Sequence, residues 1–163
     1  MSTAEETLPA ALEAEIRALA AAEPYPRGAS IAALKAVQRH FGWISTPHLR
    51  AVAELLGMSM DDLDGIATYF NLLFRKPVGR HVILLCDSVS CWIMGRDPLC
   101  AHLGRVLAIR QGETTADNAI TLLPTVCIGH CDHAPAMLVD DTLHGDVDIP
   151  ALDRLIPGLK EQP

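Results

Sequence analysis

The chain has 163 residues, enough for one or two domains, and is half hydrophobic and one-fifth charged, the composition of a folded protein rather than a disordered one. Thirteen Lys and Arg against twenty Asp and Glu leave a formal net charge of −7, which disfavours an electrostatic grip on nucleic acid or anionic lipid. No apolar run approaches the ~18–20 residues that direct membrane insertion needs, and MSTAEETLPAALEAEI lacks the basic n-region of a secretory signal. A cytoplasmic setting is expected. There, five cysteines, an odd number, point to a metal or cluster rather than to disulfides.

The first 75 residues read as helical and hold no cysteine. Thr3 to about Glu23 is rich in Ala, Leu and Glu, with good helix propensity and a weak apolar stripe, and Pro24-Tyr25-Pro26 ends it. Ser30 is placed to cap a second helix through His40, with Ile31, Leu34, Val37 and Phe41 on one face and Gly42 at its end. Thr46 is read as the cap of a third, with Pro47 at the first helical position, Leu49, Val52, Leu55 and Leu56 inward, and Gly57 closing it. Ser59 caps a fourth, with Asp61 and Asp62 at the positive end of its dipole and Leu63, Ile66, Ala67 and Phe70 at helical spacing. Trp43, Tyr69 and Phe70 are expected to pack into the core. These elements predict a helical bundle domain over residues 1–75.

The pattern changes at the basic turn Arg75-Lys76-Pro77-Val78-Gly79-Arg80, read as a solvated domain boundary. His81 to Cys86 reads as a buried strand, Cys91 to about Arg110 as a helix, and Ala119 to Leu123 as a second strand ended by Pro124. Ala136–Val139 and Thr142–His144 form a predicted hairpin turning at Asp140-Asp141. Asp148 can cap a last helix with Leu152, Leu155, Ile156 and Leu159 on one stripe. The fold class is therefore α+β: an N-terminal helical bundle followed by an α/β domain over residues 80–163.

The chemistry sits in two close cysteine pairs, Cys86-x4-Cys91 and Cys127-x3-Cys131, each on a loop that follows a predicted strand. In a binuclear iron–sulfur cluster the two bridging sulfides fill half of each iron's tetrahedron, so each iron needs two thiolates from the protein. Two sulfur pairs from two loops meet that demand. A structural zinc site also takes four thiolates, but zinc ribbons use C-x2-C knuckles. A thiol–disulfide oxidoreductase wants C-x-x-C, which is absent. Cys100, nine residues after Cys91, falls about half a turn around the same helix, on its opposite face, and reads as a buried thiol. His130 and His133 lie too close to the second pair for a two-loop His/Cys cluster and read as bystanders or as donors around the ligands. No G-x-G-x-x-G or G-x4-G-K-[ST] loop occurs. A nicotinamide donates a hydride whereas a cluster moves single electrons, so a flavin must lie on another chain. The expectation is a one-electron carrier with no catalysis of its own.

At these residues the chain resembles a known family. PVGRHVILLCDSVSCW, ETTADNAITLLPTVCIGHCDHAPAMLVDD and the N-terminal ALKAVQRHFGWISTPHLRAVAELLGMSMDDLDGIATYFNLLF are similar to the 24-kDa, E-type subunit of bacterial NADH:quinone oxidoreductase, respiratory complex I. The resemblance covers residues 28–160. It implies a thioredoxin-like [2Fe-2S] cluster domain over 80–163, with Cys86, Cys91, Cys127 and Cys131 at the iron-ligand positions. It further implies a partner subunit that binds FMN and NADH, other iron–sulfur subunits of a peripheral arm, and a place in the cytoplasm or on the cytoplasmic face of the inner membrane. The same module is similar to the small diaphorase subunit of NAD-dependent formate dehydrogenases and NAD-reducing hydrogenases. CDSVSC and TLLPTVCIGHCD look closer to the complex I version, while LHGDVD also fits the formate dehydrogenase type.

Overall fold

In a computed structural model the chain divides into two compact units, Met1–Pro77 and Val78–Pro163, and the structure describes residues 7–161. The first unit holds α1 (Ala10–Ala22), α2 (Ser30–Phe41), α3 (Thr46–Leu56) and α4 (Met60–Tyr69). Part of the expected first helix, residues 3–6, lies outside the described residues. Among the described ones α1 starts only at Ala10, because proline disfavours the helical conformation in the residue before it and Pro9 therefore excludes Leu8. Leu12, Ile16, Leu34, Val37, Leu49, Val52, Leu56, Leu63 and Ala67 bury one common core.

Several details differ from the expectation. Ser30 is not a cap: a 3-10 turn over Pro26–Ala29 leads directly into α2, and the Ser30 hydroxyl donates back to the Arg27 carbonyl at 2.5 Å. Ser45, not Thr46, caps α3, its Oγ accepting from the His48 N–H at 3.2 Å, which moves Pro47 one position inward. Ser59 caps α4 as expected, through the Asp62 N–H at 3.1 Å. Tyr69 is 82% exposed and Phe70 partly exposed, so the end of α4 points outward rather than into the core. Arg75 is no solvated linker residue. Its Nε donates to Asp64 at 2.7 Å and its guanidinium also donates to the Ile44 carbonyl, tying the end of the first unit back onto the bundle.

The second unit is a four-stranded mixed sheet, ordered β2-β1-β3-β4, of β1 (His81–Cys86), β2 (Ile120–Thr125), β3 (Met137–Val139) and β4 (Thr142–His144). β1 pairs parallel with β2 and antiparallel with β3. Between β1 and β2 the chain forms α5 (Val89–Ile93) and α6 (Arg96–Leu107), and α7 (Ile149–Glu161) follows β4. The expected single helix from Cys91 is thus two helices. The break is at Gly95, whose φ of 101° is open to glycine and not to ordinary side chains. β2 also runs through Pro124 to Thr125 instead of stopping before it. It is an edge strand, where a residue without an N–H costs no ladder bond on the open side. Asp148 caps α7 by accepting from the Ala151 N–H at 2.7 Å.

Ile83 and Leu85 of β1, Leu122 of β2, Leu99 and Leu103 of α6, and Leu152 and Ile156 of α7 form the core of this unit. Ile83 has no solvent exposure and lies on a central strand. Ile83→Ala should lower the unfolding free energy of the second unit by about 2–5 kcal/mol in urea denaturation, through lost burial and the cavity left behind.

Candidate metal centre

The parallel register pairs Cys86 with Thr125, and the Asp87 N–H donates to the Thr125 carbonyl at 3.0 Å. Both cysteine loops therefore leave the sheet from one edge. On its other side the Cys86 N–H donates to the Ala136 carbonyl at 3.2 Å. Cys86 thus lies between the strand that leads to Cys127 and the segment that follows Cys131. Cys86 and Cys91 are buried with Ala134 and Ala136, and Ile128 packs against them. Cys127 and Cys131 are exposed. The four cysteines singled out in the sequence thus lie in two loops at one end of the sheet, one pair inside and one pair at the surface.

Cys91 does not open a long helix. It is the third residue of the short α5, which Ser88 precedes. Cys100 lies in α6, beyond the Gly95 break, so helical periodicity does not relate it to Cys91. It is half-buried against the main core of the unit, apart from the four.

The Sγ atoms of Cys127 and Cys131 are 3.3 Å apart, and the Gly129 N–H donates to Cys127 Sγ at 3.4 Å. That amide, then the Cys131 thiol and the Ser88 hydroxyl, hold the Cys127 thiol below its ordinary value. Cys131 is pushed up, mainly by its neighbour Cys127 and against a hydrogen bond from Ser90. Burial is the main cause of the upward shift at Cys91, with Cys86 adding to it and the Ala136 backbone opposing it. Charge on Cys86 raises Cys131 as well, so the two loops are electrostatically joined. Ser88 and Ser90 were not singled out in the sequence. Both lie at the start of α5, and no pattern in Asp87-Ser88-Val89-Ser90 marks them as neighbours of the opposite loop.

His130 and His133 face each other with ring centroids 4.7 Å apart. Asp132 lies 3.7 Å from the His130 ring and 3.6 Å from that of His133, and Asp146 Oδ2 is 2.6 Å from His133 Nδ1. The Asp146 contact, helped by Asp132, raises the His133 pKa. These histidines are engaged with carboxylates on the outer side of the loop.

The donor set fits a [2Fe-2S] cluster. It supplies soft sulfur in pairs from two loops, with amide and hydroxyl donors directed at the sulfurs to compensate anionic charge. Among the described residues, no group of three or more His, Cys, Asp or Glu could hold a single metal ion.

Comparison with known proteins agrees with that chemistry. Residues 16–160 match the thioredoxin-like [2Fe-2S] ferredoxin family. The chain is 45% identical over 131 residues to the E-type subunit of NADH-quinone oxidoreductase from Pseudomonas aeruginosa, covering 80% of this chain and 79% of that protein. It is 44% identical over 135 residues to the E-type subunit from Escherichia coli (83% and 81%). Against the second E-type subunit of Rhizobium meliloti it is 40% identical over 146 residues (90% and 87%). Among solved structures it is similar to an NAD+-reducing [NiFe]-hydrogenase, with a TM-score of 0.70 and 26% identity over 81% of this chain. It spans only 23% of that hydrogenase chain.

Thiolate is the reactive form of cysteine. In the cluster-free chain, iodoacetamide should therefore modify Cys127 first and buried Cys91 last, as read by mass spectrometry against time. A Cys91 that reacts as fast as Cys127 would contradict the placement of the pairs.

Proposed function

Because this chain belongs to the thioredoxin-like [2Fe-2S] ferredoxin family, we propose that it is the electron-transfer subunit of the NADH dehydrogenase module of an NADH:quinone oxidoreductase. In that role it receives single electrons from FMN on a partner subunit that also binds NADH. The observation that carries this reading is the meeting of two cysteine pairs at one sheet edge, supported by 44–45% identity to E-type subunits. Cys86 and Cys91 would hold one iron, Cys127 and Cys131 the other. When bound, a [2Fe-2S] cluster takes up and releases one electron at a time.

The remaining work is done by the protein. Burial of Cys86 and Cys91 keeps water from the inner sulfurs. The Ala136 amide donates to Cys91, and the Gly129 amide and the Ser88 and Ser90 hydroxyls donate to the outer pair, stabilising negative charge where an added electron would increase it. Beside the exposed pair, Val89, Trp92, Ile93 and Met94 of α5 and its end, together with Val126, are each well over half exposed. Apolar side chains around two surface sulfurs favour docking against another protein, here the flavin- and NADH-binding subunit. Further iron–sulfur subunits of a peripheral arm complete the proposed assembly, at the cytoplasmic face of the inner membrane. No helix among the described residues is long and apolar enough to cross a membrane.

A second reading has one observation in its favour. The likeness to the NAD+-reducing hydrogenase fits an equivalent diaphorase subunit of such an enzyme or of an NAD-dependent formate dehydrogenase. The proteins that co-purify with the chain from its native source distinguish the two assemblies.

The purified chain should be red-brown with about two iron and two sulfide per molecule, and should give a reduced-state EPR signal after dithionite. A colourless chain with a single zinc would overturn the proposal in favour of a structural zinc module. Serine at position 86, 91, 127 or 131 should abolish or distort that EPR signal, whereas Cys100→Ser should leave it unchanged. A normal signal from Cys127→Ser would reject the ligand assignment. The isolated chain should oxidise no NADH, as followed at 340 nm on the order of minutes, and should be reduced only when a flavoprotein partner is added.

A further inference from the structure

The loop that carries Cys131 is held by a segment far from it in sequence. After Cys131 the chain makes a 3-10 turn over Cys131–His133, closed by the His133 N–H donating to the His130 carbonyl at 3.2 Å. Residues 145–147, between β4 and α7, lie along this turn. The Asp146 N–H donates to the His133 carbonyl at 2.7 Å, Asp146 Oδ2 meets His133 Nδ1 at 2.6 Å, and the Val147 N–H donates to the Pro135 carbonyl at 3.0 Å. At Gly145 the approach is closer still. A Cβ there would lie 2.6 Å from His130 Nε2, 2.6 Å from His133 Cβ and 2.7 Å from His130 Cδ2.

We propose that Gly145 and Asp146 are positioning residues, a strap that holds the Cys127–Cys131 loop in the shape that presents its sulfurs to iron. The inference rests on the reading that this loop binds a cluster, and adds what keeps it in register.

The strap is anchored on both sides. His144 ends β4, which pairs with β3, and Val147 is buried in the main core just before α7. A segment fixed at both ends cannot move aside, so any crowding at Gly145 is relieved by the cysteine loop. A rotamer change could move the His130 ring away, but His133 Cβ is attached directly to the backbone. Adding a methyl group at 145 therefore displaces the turn that contains Cys131. Asp146 has a φ of 49°, a left-handed conformation that Asp and Asn tolerate better than most residues. Its carboxylate then reaches the His133 ring while its own N–H bonds the His133 carbonyl. One residue thus grips the turn at two points.

The test compares Gly145→Ala, Asp146→Gly and Asp146→Asn in the full chain, with and without cluster. Glycine at 146 accepts the left-handed backbone but removes the acceptor and adds backbone freedom, whereas asparagine keeps both the backbone preference and an acceptor oxygen. In the cluster-free chain, Gly145→Ala and Asp146→Gly should speed amide hydrogen exchange across residues 127–135 on the order of 10-fold, leaving β1 and α6 unchanged. In the loaded chain both should change the EPR g values and speed cluster loss to a chelator about 10-fold, the scale on which groups supporting metal ligands act. Asp146→Asn should restore both measurements.

Exchange and g values identical to the unaltered chain would overturn the proposal, as would faster exchange spread evenly over residues 78–161, the mark of general destabilisation. An Asp146→Asn chain that behaves like Asp146→Gly would overturn the two-point grip. If Gly145→Ala does not fold, the two Asp146 variants decide the matter. Locally faster exchange in a chain that never takes up iron would leave the strap standing and remove the electron-transfer reading instead.

Discussion

The parallel pairing of β1 with β2 is the constraint from which the site follows. Cys86 stands opposite Thr125, so the turn after one strand and the turn after the other emerge side by side at the same sheet edge. An antiparallel pairing would send residues 87–91 and 126–131 to opposite ends, and no thiol of one loop could act with a thiol of the other. Parallel neighbours require a long crossover. Here α5 and α6 provide it, and α6 contributes Leu99 and Leu103 to the core beneath the sheet. The same segment that makes the pairing possible also carries Cys91.

Burial divides the site unequally. Cys86 ends a central strand and Cys91 is the third residue of α5, and both are enclosed with Ala134, Ala136 and Ile128. The second pair lies in a loop beyond an edge strand and remains at the surface. Donor groups follow the same division. Ala136 serves the inner side, while Gly129, Ser88 and Ser90 serve the outer one, and the two serines belong to the loop of the opposite pair. This cross-loop donation means that neither loop alone provides the environment of its own sulfurs. Val89, Trp92 and Ile93 of α5, and Val126 next to Cys127, are likewise exposed.

Elements with strong local signals were legible in the sequence. Leu34 and Val37, Leu63 and Ala67, and Leu152 and Ile156 repeat at helical spacing, and each pair is buried as that spacing requires. Ser59 and Asp148 cap their helices because the side chain that satisfies the first free amides lies in the same short segment. Departures arose where a neighbouring group competed. Ser30 uses its hydroxyl on the preceding turn, and Ser45, one residue ahead of Thr46, takes the capping position of α3. Pro124 stays in the sheet only because β2 is at its edge, a fact of strand order rather than of sequence. Gly95 divides an otherwise continuous helical stretch by its backbone angle, and isolated glycines inside helices are too common to reveal that.

The amino-acid sequence alone determined the candidate ligand set: four thiols in two closely spaced pairs, because the count and spacing of soft donors are written along the chain. It also determined the helical first half and the strand–helix–strand order of the second, since amphipathic period and end signals act within a few residues. Only the tertiary structure decided which pair is buried, which serine serves which sulfur, and that Gly145 and Asp146 lie against the turn of Cys131. Those facts depend on pairing between residues far apart in the chain, whose contacts arise from sheet register and core packing and leave no periodic trace in the sequence.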